Sequence, residues 1–319
     1  MSENTLKEKT AKGLMWGTIS NGAQLVLGTL FGIFLARILS PSDYGMVGLL
    51  TVFSQIASVL QDSGFRTALA NRREIVHEDY NAVFWFNVGT SCVMYLLLFF
   101  LAPLITEFYQ HSDAAANQDL SELTPLARFS FLGFVIASLG TAHYAYLFRT
   151  LQVKQKAIIT VISLTTSSTI GLTMALKGYA YWGLATQGIA FTTCNTILFW
   201  YFSKWRPTLP VSFHPLKEMF SFSSKLLAND ICNNINGNIL SVMLGRFYAV
   251  HDVGLYNQAN KWTSMVSTMV LGTIKDVAQP VLRNVETERE RHKRVFRKML
   301  RFNAFMVFPA LFGLALISR

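Results

Sequence analysis

Long apolar stretches are the feature that most restricts the fold of this chain. Each holds about 20 residues, enough for a helix to cross the hydrocarbon core of a bilayer. Inside a bilayer the backbone must satisfy its own hydrogen bonds, so segments of this kind fold as helices. Only 14% of the residues are charged, against about a quarter in soluble domains. The sequence therefore predicts an all-α integral membrane protein with transmembrane helices over residues 13–39, 44–65, 80–105, 123–146, 157–176, 179–203, 219–247, 254–275 and 302–318.

The placement of Lys and Arg predicts how these helices are oriented. Positive residues in short loops are retained on the cytoplasmic side. Most of the 28 Lys and Arg residues lie in segments that share one side of the membrane with the N-terminus, whereas the longest loop on the other side, ITEFYQHSDAAANQDLSEL, has neither. We therefore expect a cytoplasmic N-terminus. The net charge of +10 points to membrane lipids as the acidic partner and not to nucleic acid, because the basic residues lie between apolar segments.

The Cys and His residues form no recognisable chemical motif. Cys92, Cys194 and Cys232 lie singly in different predicted helices, and the histidines are scattered. Neither a CxxC or HExxH metal pattern nor a nucleophile elbow or phosphate loop is present. The sequence therefore predicts no catalytic residue, no metal site and no cofactor.

A segment near the start of the chain has an echo 209 residues later. LARILSPSDYG covers residues 35–45 and LGRFYAVHDVG covers residues 244–254, with Leu, Arg, Asp and Gly at the same places. The interval contains six predicted helices, an even number, so the two copies cross the membrane in the same direction. A parallel repeat predicts two pseudo-symmetric six-helix lobes related by an axis along the membrane normal. We predict an N-lobe over residues 1–209 and a partial C-lobe with three helices over residues 210–319, in a protein that is C-terminally truncated.

The echoed segment also predicts local structure. Ser40 is placed to cap the second helix, Pro41 suits its first turn, and Asp43 places an acid at its positive end. We expect the Arg and Asp of the segment to hold the hairpin together; contact with substrate is the alternative.

Polar residues within the apolar helices are candidates for a transport pathway. Such side chains at membrane depth face protein or a water-filled cavity. Asp230 is predicted to bind a coupling proton or sodium ion, and Lys225 an anion. Helix packing is the alternative for the first helix, and interfacial anchoring is the alternative for Arg66 and Arg128. The predicted cavity residues are Asn21, Gln24, Arg66, Arg128, Lys225, Asn229, Asn233, Asn257 and Lys261.

The opening of the chain resembles that of a known transporter family. KGLMWGTISNGAQLVLGTLFGIFLARILSPSDYGMVGL, with a helix that ends near Gly64-Phe65-Arg66, is similar to the Wzx-type polysaccharide flippases of the multidrug/oligosaccharidyl-lipid/polysaccharide (MOP) exporter superfamily. The resemblance implies that an undecaprenyl-pyrophosphate-linked oligosaccharide crosses the bacterial cytoplasmic membrane by alternating access, coupled to a proton or sodium ion. Basic residues would hold the pyrophosphate, and Asn and Gln would bind sugar hydroxyls. The polysaccharide polymerase machinery is a further expected partner.

Other functions fit the same architecture. A multidrug exporter or a peptidoglycan-precursor exporter belongs to the same superfamily. A membrane glycan polymerase or ligase is less favoured, because the predicted outward loops are short and the longest is acidic. A purely structural membrane protein would leave the intramembrane Lys225 and Asp230 unexplained.

Overall fold

A computed structural model gives the architecture. It describes residues 3–62, 65, 69, 75–110, 120–150, 152–209, 212 and 214–265, and further on residues 297, 301, 304, 305, 308, 309, 312, 313 and 316. The chain divides into two compact units, Met1–Leu255 and Tyr256–Arg319. The predicted lobe boundary between residues 209 and 210 stays a prediction.

The described secondary structure is helical throughout, which confirms the predicted all-α fold. The first five of the described helices are long and apolar enough to cross a membrane. The helices are α1 (Glu3–Ile38), α2 (Pro41–Asp62), α3 (His77–Gln110), α4 (Leu123–Arg149), α5 (Val153–Leu176), α6 (Ala180–Phe202) and α7 (His214–Phe247), and residues 250–265 are also helical.

α5 and α6 form an antiparallel pair because the connection between them is short. The α5–α6 connection turns at Gly178, whose φ of 83° is in the left-handed region. The backbone N–H of Gly178 donates to the Ala175 carbonyl at 3.0 Å, and that of Tyr179 donates to the Met174 carbonyl at 3.1 Å. This is the Schellman arrangement, in which a glycine ends a helix and satisfies its last carbonyl groups.

The core of the first unit lies where α2, α3 and α4 meet. α3 packs on α4, α4 on α6, and α5 on both α1 and α6, while α7 packs on α2 and α3. Leu49 and Leu50 of α2, Tyr109 of α3, and Leu126 and Phe131 of α4 are all buried in one cluster. Their burial sets the position of α2, which contacts helices on both of its sides.

The start of α2 has the cap that the sequence predicts. The backbone N–H and the hydroxyl of Ser40 donate to Asp43 Oδ2 at 2.8 and 2.7 Å, and the Asp43 N–H donates back to the Ser40 hydroxyl at 3.3 Å. This reciprocal pair is a capping box. The Asp43 carboxylate thus acts within its own helix start.

The Arg and Asp of the second copy have separate partners too. Arg246 donates to the Phe108 carbonyl of α3 at 3.1 Å, and the Asp252 carboxylate lies 3.6 Å from His251 Nδ1. Asp43 thus caps its own helix and Arg246 attaches to α3, and the expected Arg–Asp link across the hairpin stays a prediction.

Candidate functional site

The two echoed segments contact each other. A Cβ atom on Gly45 would collide with the carbonyl oxygen of Val250 and would lie 2.6 Å from its Cγ1 atom. A Cβ atom on Gly254 would collide with the carbonyl oxygen of Pro41 and would lie 3.0 Å from the Gly45 nitrogen. Gly45 and Gly254 are equivalent positions of the repeat, and so are Pro41 and Val250. The contact is therefore reciprocal, as in contacts across a two-fold axis.

Further contacts join α2 to α7 along their length. A Cβ atom on Gly245 would meet Leu49 and would lie 2.7 Å from Cε1 of Tyr109. Beyond it, the Asn238 side chain donates to Gln55 Oε1 at 2.7 Å. We call this line of contacts the α2–α7 seam. On α2 it runs from Gly45 to Gln55. On the other side it runs from Gly254, in the helix that follows α7, back to Asn238 in α7. The contacts run in opposite order on the two sides, so α2 and α7 are antiparallel.

A polar cavity of about 620 Å³ begins at Ser58, just beyond the end of the seam. Five helices, α2 and α4 to α7, supply its walls. Hydroxyl, amide and carboxylate groups alternate there with aromatic rings. The lining residues are Ser58, Val59, Ala137, Gly140, Thr141, Tyr144, Thr160, Phe191, Thr192, Asn195, Thr196, Phe199, Asp230 and Asn234.

Helical spacing brings the α6 residues to the cavity. Thr192, Asn195, Thr196 and Phe199 recur at intervals of three and four and so share one face of the helix. The Thr196 hydroxyl donates to the Ile136 carbonyl of α4 at 3.0 Å, which joins the two walls. In α4 the same spacing aligns the cavity residues from Ala137 to Tyr144.

Asp230 brings a carboxylate to the cavity wall. Its side chain is exposed, and Asn229 lies next to it, with an amide nitrogen 3.5 Å from Oδ1. The Asn234 amide donates to the Asp230 backbone carbonyl at 2.8 Å. Among the described residues, no group of three or more His, Cys, Asp and Glu side chains could hold a metal ion. The Asp230 carboxylate is thus an acidic group in the cavity lining.

Lys156 places a positive charge beside the same cavity. Its Nζ atom lies 4.1 Å from the ring centroid of Tyr144 and 4.7 Å from that of Phe148. Tyr144 lines the cavity, and Thr160, one turn along α5 from Lys156, lines it too. Cation–π attraction to the two rings holds the half-buried ammonium group in place. In the sequence, Lys156 belongs to a basic segment that the positive-inside rule explains, and that rule predicts no binding role for it.

The predicted cavity residues of α1 and α4 lie elsewhere. The Gln24 amide donates to the Ser20 hydroxyl at 3.1 Å, within α1, and Asn21 is exposed. Arg128 donates from Nε to the Phe99 carbonyl at 3.3 Å, and its guanidinium lies 4.2 Å from the centroid of that ring. Arg128 precedes the cavity segment of α4 by more than two turns, and this position fits the anchoring alternative.

The remaining predicted residues have varied positions. Lys225 and Asn233 are exposed on α7. Asn257 and Lys261 belong to the second unit, where Asn257 is half-buried and Lys261 is exposed. Arg66 lies outside the described residues. The cavity and coupling roles of the predicted residues stay predictions, and among them Asp230 is in the cavity lining.

Sequence reasoning missed the polar residues of α4, α5 and α6. The signal was present in α6, where AFTTCNTILF carries Thr192, Asn195 and Thr196 on one face. Single Thr and Asn residues are common at packed interfaces of membrane helices. The three α6 residues therefore indicate a cavity only when the polar residues of the other helices are known to lie opposite them.

Comparison with known proteins identifies the family. Residues 34–319 match the family described as "Polysaccharide biosynthesis protein". The chain belongs to this family. It is 29% identical over 322 residues to "Lipopolysaccharide biosynthesis protein WzxC" of Escherichia coli (strain K12), covering 98% of this chain and 62% of that protein.

Two further relatives come from other bacteria. Identity is 26% with "Succinoglycan biosynthesis transport protein ExoT" of Rhizobium meliloti (strain 1021), covering 97% of this chain and 61% of the relative. Identity is 24% with "Teichuronic acid biosynthesis protein TuaB" of Bacillus subtilis (strain 168), covering 98% of this chain and 64% of that relative. The chain thus spans between 61% and 64% of the length of these three relatives.

A solved structure shares the fold. It is titled "Inward-facing conformation of a multidrug resistance MATE family transporter of the MOP superfamily", and the TM-score is 0.64 at 16% sequence identity. The match covers 91% of this chain and 68% of the other. The likeness shows that this chain shares the fold of that structure, and the arrangement in two six-helix lobes stays a prediction.

The seam predicts energetic coupling between α2 and α7. Replacing either Gln55 or Asn238 by Leu removes the hydrogen bond between the two side chains, although the Asn238 amide also donates to the Asn234 carbonyl at 2.9 Å. The double variant removes both side chains. A double-mutant cycle on detergent-solubilised protein, read by thermal unfolding, is expected to give a coupling of about 0.6 kcal/mol or more, as for other hydrogen bonds between membrane helices. Additive single effects would show that the bond contributes nothing to the seam.

Proposed function

We propose that this family member transports a lipid-linked oligosaccharide across the bacterial cytoplasmic membrane by alternating access. The observation that carries the proposal is a polar cavity of about 620 Å³ inside a bundle of apolar helices. Polar groups at membrane depth are costly unless they face a pathway or each other. The named roles of the relatives, in lipopolysaccharide, succinoglycan and teichuronic acid biosynthesis, support a glycan as the cargo.

The cavity lining suits a sugar better than an apolar drug. Thr141, Thr192 and Asn195 offer donors and acceptors to hydroxyl groups, while Tyr144 and Phe199 offer flat faces for a sugar ring. Sites for drug-like molecules are lined mainly by apolar side chains with a few polar groups. We therefore favour a glycan exporter over a multidrug exporter; a peptidoglycan precursor is an alternative cargo with the same chemistry.

Lys156 is our choice for the anionic part of the cargo. An ammonium group is a common phosphate ligand that acts as a point charge. The rings of Tyr144 and Phe148 hold it beside the hydroxyl-lined wall, so a phosphate at Lys156 leaves the attached sugars within the cavity. Lys225, Arg66 and Lys261 remain proposed contributors along the pathway.

Asp230 is our choice for ion coupling. A carboxylate in a cavity that opens alternately to the two sides of a membrane can take up a proton or sodium ion on one side and release it on the other. Cargo and ion would then exchange in the same site. In this proposal the N-terminus is cytoplasmic, the protein acts as a transporter and not as an enzyme, and the polysaccharide polymerase machinery receives the exported units.

The transport role of Lys156 is testable by complementation. The full-length protein is expressed in bacteria that lack their own polysaccharide flippase, and surface glycan is quantified. Lys156→Gln is expected to lower the transport rate about tenfold or more, because it removes a charged hydrogen-bond donor. Lys154→Gln, two residues away on the same helix and exposed, is the matched control and is expected to keep normal transport. Equal rates for the two variants would refute the role of Lys156.

The coupling role of Asp230 predicts a change in ion dependence. Transport by the unaltered protein is expected to fall when the proton or sodium gradient is collapsed, whereas an Asp230→Asn variant is expected to be slow and insensitive to both gradients. Glu122→Gln, at the exposed start of α4, is the control and should keep the gradient response. A normal gradient response in Asp230→Asn would exclude this carboxylate as the coupling group.

A further inference from the structure

An apolar groove lies on the surface of the bundle where α2, α3 and α7 meet. Its volume is about 530 Å³, and its described wall consists of Val, Ile, Leu and Phe side chains. The wall residues fall within 52–56 of α2, 98–108 of α3 and 235–242 of α7. The groove is open to its surroundings, because Leu104 is 57% exposed and Ile239 is 50% exposed. It is therefore separate in chemistry from the polar cavity.

The length of the groove matches one leaflet of a bilayer. On α3 it runs from Leu98 to Phe108, which is about 15 Å of helix. The hydrocarbon core of a bilayer is about 30 Å thick, so the groove is about as long as one leaflet is deep. Its outer end lies close to Gln110, the last residue of α3. The groove thus extends inward from the end of the helix, where lipid headgroups lie.

A lipid chain is the occupant that this position selects. Water has no polar partner on an apolar wall, and an empty groove would lose the dispersion contacts of its side chains. Acyl chains of the bilayer have direct access to the exposed side. Because all membrane lipids have apolar chains, and burial in lipid brings no hydrophobic gain, the choice among lipids depends on a polar group at the end of the groove.

Arg246 supplies that polar group. It lies in the last turn of α7, and its guanidinium carbon is 5.4 Å from the ring centroid of Phe108, which belongs to the groove wall. The Arg246 Nη1 atom also donates to the Phe108 carbonyl at 3.1 Å. These two contacts place the guanidinium at the outer end of the groove. The hydrogen bond uses one of five N–H donors, and the planar guanidinium matches the geometry of a phosphate.

We propose that the groove and Arg246 form a binding site for an anionic glycerophospholipid of the phosphatidylglycerol type. One acyl chain lies along α3, and the lipid phosphate binds the Arg246 guanidinium. A headgroup without an amine is preferred, because a second positive charge beside the phosphate would offset its attraction to the guanidinium. The site lies outside the polar cavity, and the inference goes beyond the proposed transport function and does not depend on it.

The bound lipid would stabilise the contact between three helices. Ile56 and Ile239 of the groove wall are next in sequence to Gln55 and Asn238, which join α2 to α7. A chain in the groove contacts these two helices and α3 together. Since a ligand that binds the folded protein stabilises it by mass action, added phosphatidylglycerol is expected to raise the unfolding temperature of the detergent-solubilised protein.

The experiment measures lipid affinity by native mass spectrometry of the full chain in a mild detergent. The probes are phosphatidylglycerol and phosphatidylcholine with the same acyl chains. Arg246→Gln is expected to weaken phosphatidylglycerol binding about tenfold, because it removes a charged hydrogen-bond donor. Arg37→Gln is the matched control: it removes the same charge from the equivalent position of the repeat, at the exposed end of α1, and should keep normal affinity.

A second pair of variants tests the position of the acyl chain without changing any charge. Leu104→Trp adds bulk in the groove and is expected to weaken phosphatidylglycerol binding about tenfold. Leu96→Trp, also exposed on α3 but outside the groove wall, is the control and should leave binding unchanged. Variants are compared only when they unfold at the temperature of the unaltered protein in the absence of added lipid, so that a folding defect is not mistaken for lost binding.

Three results would overturn the proposal. The first is equal affinity of Arg246→Gln and Arg37→Gln for phosphatidylglycerol, and the second is equal affinity of the two Trp variants. The third is a different occupant: binding of phosphatidylcholine or of a polyprenyl phosphate that equals or exceeds that of phosphatidylglycerol, or protein dimers in place of lipid adducts. Selective loss of phosphatidylglycerol in Arg246→Gln and Leu104→Trp would establish the site.

Discussion

The close approach of α2 and α7 is the constraint on which the rest of the structure depends. Glycine is required at three places: Gly45 in α2, Gly245 in α7 and Gly254 in the helix that follows α7. Any side chain there would meet a carbonyl, a leucine or a tyrosine ring. The approach brings α7, with its polar residues, against the otherwise apolar core formed by α2, α3 and α4. Where the contact ends, the helices separate and leave room for a polar cavity. The close backbone contact at one end of the seam and the polar cavity at the other thus both depend on how α2 and α7 pack together.

The cavity gains its chemical character from several helices. None of α2, α4, α5, α6 and α7 is polar enough at the cavity to form a site by itself, but together they surround it with hydroxyl, amide and carboxylate groups. Lys156, held by two aromatic rings, places a positive charge beside that surface. Uncharged polar groups, the Asp230 carboxylate and the nearby Lys156 ammonium group together suit a cargo that has both sugars and a phosphate. Membership of the polysaccharide biosynthesis family agrees with this chemistry.

The sequence predicted those features that local patterns determine. The α2 cap was predictable because Ser40, Pro41 and Asp43 act within one helix turn. The apolar stretches predicted the helices. The position of Asp230 within an apolar helix made it a candidate for the transport pathway. The repeat showed that Gly45 and Gly254 are equivalent positions. It did not predict that the two copies contact each other.

Features that depend on neighbouring helices could not be predicted. Arg128 had an interfacial alternative that only its contact with Phe99 favours. Lys156 belongs to a basic segment whose composition is explained by topology, so its position over Tyr144 required the packing of α4 on α5. Thr192 and Asn195 are ordinary residues of a membrane helix until the other walls of the cavity surround them.

The central claim is that the polar cavity is the pathway of a lipid-linked oligosaccharide, and substrate protection tests it most directly. Asn195→Cys is introduced in the full chain with Cys194 and Cys232 replaced by Ser and with Cys92, exposed on α3, kept as the internal control. The account predicts that a purified lipid-linked oligosaccharide slows maleimide labelling at position 195 and leaves labelling of Cys92 unchanged. Equal labelling of position 195 with and without the oligosaccharide, in protein that exports it, would contradict the account.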